Sequence, residues 1–356
     1  MRFFPSALFP FMRIVVDVMG GDHGIEVVID GVKQALAVQE AISELFIVGN
    51  EAEIRPILTR LQLRDSRLQI IHTTQVLTMD DKPLDVLRKK KDSSMAVAVD
   101  LVKQGRADAI ISRGNTGGLM SAATVKLRPL EGVDRPAIAT VIPSTVGAFV
   151  LLDAGANAEC KPIHLAQFAV MGSVYSREIL GQPKPRVGIL SNGTEETKGT
   201  DLTREALNLC RQLDLNFLGY VEGHDLFEDH VDVVVTDGFV GNIVLKTVES
   251  MGKGIKTMLE TEFRKNPLRL AGAALAYGGL SHIKHRMNPD NYGGAPLLGL
   301  NGTVIKAHGS ARAVAIKNAI RIACETVHNK INEVIQTQMA LANQTMAKIQ
   351  ATTPTV

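Results

Sequence analysis

The chain has no tryptophan, only 4% aromatic residues, and three cysteines in 356 positions. Without aromatic side chains to stack on bases, single-stranded nucleic-acid binding lacks its usual platform. Cys160, Cys210 and Cys324 lie far apart and form no CxxC pair. That excludes a disulfide framework and a thiolate zinc motif, and fits a reducing cytosol. Neither sign of charge dominates: 39 Lys and Arg against 37 Asp and Glu leave +2, too balanced for a dedicated nucleic-acid binder. No run reaches the roughly 18 apolar residues of a membrane span. The opening MRFFPSALFPF is apolar but is broken by Pro5 and Pro10 and lacks a small-residue cleavage site, so it is a poor secretory signal. Residues 1–11 read as a tail or an over-called start.

Enough apolar material remains for a core: 45% of residues are hydrophobic and 21% charged, which rules out a disordered or fibrous chain. Short β-branched runs recur at 13–18, 45–49, 68–72, 108–112, 136–142, 147–153, 186–190, 216–221, 231–236 and 303–307. Helix-period segments lie between most of them, at 26–39, 92–104, 163–180, 201–213 and 240–262. Strand runs apolar on both faces and joined by helices predict an α/β fold with a mostly parallel sheet covered on both sides. PAIATVI and GAFVLLD, separated only by residues 143–146, predict one antiparallel hairpin. A last helix is expected from about 310 to 339. The reading is a single domain over 12–340 and a polar tail over 341–356.

In open α/β sheets, ligands bind beyond the carboxyl ends of strands, where glycine admits close backbone approach and helix N-termini attract anions. Seven such loops follow predicted strands: DVMGGD (17–22), SRGNTGG (112–118), LDAGAN (152–157), LSNGTEETKGT (190–200), VTDGFVGN (235–242), YGGAPLLGLNG (292–302) and KAHGS (306–310). Each alone is a capped turn; together they predict an anion site on one sheet edge. The signatures of nucleotide, serine-hydrolase and zinc-protease sites are missing. No GxGxxG follows a strand, and GxxxxGK[ST], GxSxG and HExxH do not occur. The His224–His230 segment reads as a solvated acidic loop, and His282 with His285 supplies two metal ligands at most. No metal or cofactor is expected.

An anion site with no evident nucleophile, catalytic triad or metal suits a reaction in which the anion itself attacks. Phosphate attacking a thioester needs orientation, worth up to about 7–11 kcal/mol, and oxyanion donors, each worth roughly 2.7–4 kcal/mol. Backbone N–H groups and one or two lysines meet both needs.

DVMGGD, SRGNTGG, LSNGTEETKGT, TDGFVGN, YGGAPLLGLNG and VIKAHGSA, in that order over about residues 12–335, resemble the PlsX-type phosphate acyltransferases of bacterial phospholipid synthesis. HGIEVV (23–28) departs from the family's usual proline soon after the aspartate. The resemblance implies a three-layer α/β/α sandwich, related to phosphotransacetylases and the isocitrate-dehydrogenase-like group, in a homodimer with its site near the subunit interface. It implies conversion of acyl-acyl-carrier-protein and inorganic phosphate to acyl phosphate, for later transfer to glycerol 3-phosphate by a membrane-bound acyltransferase. The motif positions carried over are Asp17, Gly20, Gly21 and Asp22 in the first loop, with Asp22 orienting a lysine or capping its helix. Asn115, Thr116, Gly117 and Gly118 open a helix and are the first choice for cradling phosphate. Asn192, Gly193 and Lys198 follow a central strand, with Lys198 the preferred cation or else an exposed loop lysine. Asp237, Gly238 and Asn242 follow another. Lys306, His308 and Ser310 straddle the last strand end, where His308 protonates the departing thiol or is structural.

Residues 263–289 hold no acidic side chain but carry Arg264, Lys265, Arg269, Lys284 and Arg286 around an apolar LAGAALAYGGL (270–280). This protruding helical hairpin, about 255–287, reads as peripheral contact with an anionic membrane through Leu270, Leu275, Tyr277, Leu280 and Ile283, or as a buried or dimer-packing element. The enzyme is thus expected in the cytoplasm and at the inner face of the cell membrane. Two other readings, a dehydrogenase on the related scaffold and a non-enzymatic acyl- or anion-binding module, lack a nicotinamide site and predict no thioester loss, respectively.

Overall fold

Side chains alternate across a strand, so each β-branched run serves two cores at once. The computed structural model describes residues 11–352 apart from Asn288, so most of the opening apolar segment and the last four residues lie outside the described residues. A seven-stranded sheet runs in the order β3 (Leu68–His72), β2 (Ile42–Gly49), β1 (Met12–Asp17), β4 (Ala109–Ser112), β12 (Thr303–Lys306), β11 (Ala295–Leu298) and β5 (Ala137–Ile138). All its neighbouring pairs are parallel except those made by β11. A five-stranded sheet runs β6 (Thr140–Pro143), β7 (Ala148–Leu152), β10 (Val233–Val235), β8 (Arg186–Leu190) and β9 (Asn216–Val221), with only β6 antiparallel.

Three cores follow from the alternation. Ile14, Val16 and Ile111 pack with α1 (Ile25–Leu36) and α11 (Ala313–His328) on one face of the larger sheet. Val15, Ile110 and Val304 turn to the opposite face, beneath α4 (Ser94–Lys103) and α5 (Thr116–Leu127). Leu151 and Val234 of the smaller sheet enter that same middle core, while Val150, Leu152 and Val235 face α6 (Pro162–Ile179), α7 (Asp201–Cys210) and α12 (Ile331–Thr352). This is an α/β fold of helices layered on mostly parallel sheets. Each fully buried Val or Ile contributes roughly 1.5–3 kcal/mol, so the uninterrupted apolar runs are what hold the layers together.

Four local expectations differ from the structure. PAIATVI is two short strands. The Ala139 N–H donates to the Pro296 carbonyl at 3.0 Å, and there the chain leaves the larger sheet for the smaller, whose β6–β7 hairpin is antiparallel as predicted. β11 (APLL) was not predicted, because a proline and two leucines carry no strand pattern. Nor was α2 (Glu51–Arg60), which buries only Ile54 and is capped by Asn50. The last helix is two: Asn329 ends α11, Lys330 adopts a left-handed φ of 50°, and α12 begins at Ile331. Its buried stripe of Ile331, Ile335, Met339, Ala342 and Met346 keeps helical spacing, so helix continues into the segment read as a polar tail.

The basic segment is built as α8 (Gly238–Phe263), α9 (Pro267–Leu275) and α10 (Tyr277–Arg286), so the predicted hairpin is the distal third of a 26-residue helix followed by two short ones. Asn266 caps α9 by accepting from the Arg269 N–H at 2.8 Å, with Pro267 at the first helical position. Neither α9 nor α10 buries a residue against the rest of the chain. No helix among the described residues is long and apolar enough to cross a membrane.

Candidate active site

Strand order places the first cluster. β1 leads into α1 on one face of the larger sheet and its neighbour β4 leads into α5 on the other, so the chain diverges between them and leaves a switch point at their carboxyl ends. Asp17, Ser112 and Lys306 end the adjacent strands β1, β4 and β12 in register with one another. Ser112 Oγ donates to Asp17 Oδ2 at 2.7 Å, and Asp17 is 1% exposed. The loops after β1 and β4 touch: a Cβ on Gly20 would lie 2.5 Å from Gly114 Cα, so only glycine fits there. The Asp22 N–H donates to the Gly309 carbonyl at 2.9 Å, which ties the first loop to the loop after β12.

Lys306 is partly buried between these loops, its Nζ donating to the Ala307 carbonyl. Burial pushes its pKa down to about 8, against the pull of Asp17 and Asp22. Lys246, on α8, and Arg113 lower it further. His308 is exposed at the rim. Its Nδ1 accepts from the Ser310 N–H at 3.2 Å and lies 2.8 Å from Ser310 Oγ. Acceptance at Nδ1 assigns the neutral ring's proton to Nε2, which stands 4.0 Å from Glu249 Oε1. Desolvation lowers the His308 pKa, so the neutral ring is favoured near pH 7.

The second cluster belongs to the smaller sheet. Asp153, 0% exposed at the end of β7, accepts from the N–H groups of Ile138, Gly155, Ala156 and Asn157 and from Asn157 Nδ2. Burial pushes its pKa up although five donors favour the carboxylate. Asp237 caps α8 by accepting from the Phe239 and Val240 N–H groups, both at 2.9 Å. Gly238 N–H donates to the Asn157 carbonyl at 2.8 Å, and a Cβ on Gly241 would fall 1.9 Å from the Asp153 carbonyl oxygen. Asn242 packs against Gly155. Two turns further, Lys246 and Glu249 pair at 2.8 Å beside His308, so α8 carries the edge of the smaller sheet across to that of the larger.

The structure therefore brings together Asp17, Gly20, Gly21, Asp22, Lys306, His308 and Ser310, and separately Asp237, Gly238 and Asn242. Asn192 Oδ1 accepts from the Gly199 N–H at 2.9 Å and so shapes its own loop after β8. Lys198 is exposed there and folds over Gly193, 2.7 Å from a Cβ built on it, on the smaller sheet rather than beside Lys306. Asn115 is 8% exposed and occupied: its Oδ1 accepts from Gly118 N–H at 2.9 Å, and its Nδ2 donates to the carbonyls of Thr78, Met79 and Asp81. Thr116 and Gly117 remain at the surface of that helix start. Sequence reasoning passed over Ser112, Arg113, Asp153, Lys246 and Glu249. The first three lie inside loops it had singled out; the last two sit on a helix face with no motif. Among the described residues no group of three or more His, Cys, Asp or Glu is placed to hold a metal ion.

Known proteins resemble the chain over nearly its whole length. A family model described as a fatty acid synthesis protein matches residues 12–334. The phosphate acyltransferase of Akkermansia muciniphila is 44% identical over 92% of this chain and 96% of its own. That of Elusimicrobium minutum is 45% identical over 96% and 99%. Among solved structures, a phosphotransacetylase from Streptococcus pyogenes shares the fold with a TM-score of 0.61 at 20% identity, covering 89% of this chain and 94% of that one. EutD phosphotransacetylase from Staphylococcus aureus gives 0.60 at 18%, covering 90% and 96%. With relatives this similar over nearly the full length, the chain belongs to the PlsX-type phosphate acyltransferase family, a group of acyltransferases.

Proposed function

We propose that the chain transfers the acyl group of acyl-acyl-carrier-protein to inorganic phosphate, giving acyl phosphate for phospholipid synthesis. The observation that carries this reading is Lys306, a partly buried ammonium where three aligned strand ends meet, facing Asp17 and Asp22 and beside Lys246 and Arg113. A phosphate oxygen attacks the thioester carbon, and the tetrahedral oxyanion collapses with loss of the thiolate. The proton of hydrogen phosphate balances the thiol: acyl thioester plus hydrogen phosphate gives acyl phosphate plus thiol. Lys306 offsets phosphate charge, the free N–H groups at the start of α5 supplement it, and the neutral His308 Nε2–H at the rim donates a hydrogen bond to the departing sulfur, which takes up the proton released from hydrogen phosphate. Lys198, in the loop after β8, and Asn242, at the start of α8, are assigned to the thioester carbonyl. Mixing the protein with acyl-acyl-carrier-protein should release free thiol only when phosphate is present, and hydroxylamine should trap the acyl phosphate. Turnover in phosphate-free buffer, or an acylated enzyme on the path, would sink the reading.

The hairpin fits peripheral contact with an anionic membrane, where the acyl phosphate would meet a glycerol-3-phosphate acyltransferase. Leu275 is 91% exposed, Leu268 83% and Tyr277 70%; Leu270 and Ile283 are also exposed and Leu280 is half-buried. An apolar patch flanked by Arg264, Lys265, Arg269, Lys284 and Arg286 suits shallow insertion among anionic headgroups. Leu275→Glu with Leu280→Glu should release the protein from anionic vesicles in a flotation assay and leave acyl phosphate formation in solution unchanged; normal flotation counts against it. The apolar face that α8 leaves open, with Ile243, Met251, Ile255 and Met258 exposed, fits the homodimer.

A further inference from the structure

Arg113 has the largest fully buried side chain among the described residues, 1% exposed, and it sits directly beneath the first strand-end loop. Its Nη2 donates to the Gly24 carbonyl at 3.0 Å and its Nη1 to the Ala311 carbonyl at 3.4 Å. The first acceptor closes the loop that carries Asp22; the second follows the loop that carries His308 and Ser310. Gly21 lies flat on the guanidinium stem, where any Cβ would meet Arg113 Cδ and Nε at 2.7 Å. Arg113 Nε has no hydrogen-bond partner. A buried guanidinium with one N–H unsatisfied is a costly way to fill space, since an apolar side chain would fill it without desolvating a charge. What compensates is position: Asp17 and Asp22 both lie near enough to favour its charge while burial opposes it.

We propose that Arg113 is a positioning residue for the phosphate-binding edge, its fork holding the loop after β1 and the loop after β12 at one fixed separation. It touches no substrate. It sets the distance between Asp22 and the Lys306–His308 turn, and so the space in which phosphate sits. The proposal rests on reading that edge as the phosphate site. Arg113 also shares its carboxylate neighbours with Lys306. The charges facing Lys306 are Asp17 from β1, Asp22 from the first loop, Lys246 from α8 and Arg113 itself, and Arg113 lowers the Lys306 pKa.

The test is kinetics on Arg113→Met and Arg113→Lys beside Lys306→Met, with melting curves for each. Because misplacing groups by about 1 Å costs about 10²-fold, folded Arg113→Met should lose about that much kcat/KM for phosphate, with the KM for acyl donor little changed. Its basic pH limb should move to higher pH, since removal of a neighbouring positive charge favours protonated Lys306. Arg113→Lys keeps the charge and most of the volume. It should fold, leave the basic limb in place and retain intermediate activity, because one ammonium cannot span both carbonyls. A merely structural arginine would lower the melting temperature of both variants and leave the kinetic constants and pH profile of the folded protein unchanged. That result, or Arg113→Lys with parental kinetics, overturns the proposal alone. A fully active Lys306→Met overturns the phosphate-site reading and this proposal with it.

Discussion

Lys306→Met is expected to lower kcat/KM for phosphate about 10²–10³-fold in a protein that still folds. The side chain reaches its place from the end of β12, in register with Ser112, whose strand separates it from Asp17, so its loss removes positive charge from the strand-end edge without opening a core. Methionine keeps the length and apolar stem, so the fold is spared. The pH profile gives the decisive readout. Lys306 is charged below about 8 and neutral above it, so parental activity should fall as pH rises through that value. In Lys306→Met that limb should vanish, leaving whatever activity remains flat across it. A variant within five-fold of the parent, or one retaining the limb near pH 8, would move the anion site elsewhere, with Lys198 the next cation to test.

The largest expected loss of stability is at Asp153. Asp153→Ala leaves four backbone N–H groups, those of Ile138, Gly155, Ala156 and Asn157, without their acceptor, and Ile138 and Asn157 are buried away from water. Each buried orphan costs about 1–3 kcal/mol, and partial relaxation brings the expected total to about 3–5 kcal/mol. Asp153→Asn should cost less, because the amide oxygen still accepts while its NH2 faces donors. Urea denaturation measures both. Activity should fall further than stability explains, since Gly238 and Gly241 of α8 rest on the loop that Asp153 shapes, and α8 positions Lys246 and Glu249 beside His308. An Asp153→Ala variant within about 1 kcal/mol of the parent would mean that the loop finds other acceptors.

Particular elements show where sequence reasoning succeeded. RIVVDV, DAIIS and VDVVVT are short, β-branched and apolar on both faces, the pattern of a strand buried on both faces, so the parallel core was legible residue by residue. PAIATVI was legible as strand but not as two strands, because its division depends on Pro296 arriving from 157 residues away to accept the Ala139 N–H. β11 had no local signal at all; its register comes from partners on both sides. The break at Lys330 is written only as a left-handed residue after Asn329, which an Ala- and Ile-rich periodicity masks.

The sequence by itself determined the α/β class, the strand-end loops and the family, because periodicity and short motifs are local and survive without coordinates. The tertiary structure alone decided which loops meet. Strand order, not spacing along the chain, puts Asp17, Ser112 and Lys306 side by side while leaving Lys198 on another sheet, and it turns Arg113 and Asp153 from unremarked loop residues into the groups that hold their loops in shape. A side chain's neighbours are set by which strand ends lie adjacent, and adjacency in a sheet is a property of the packed chain as a whole.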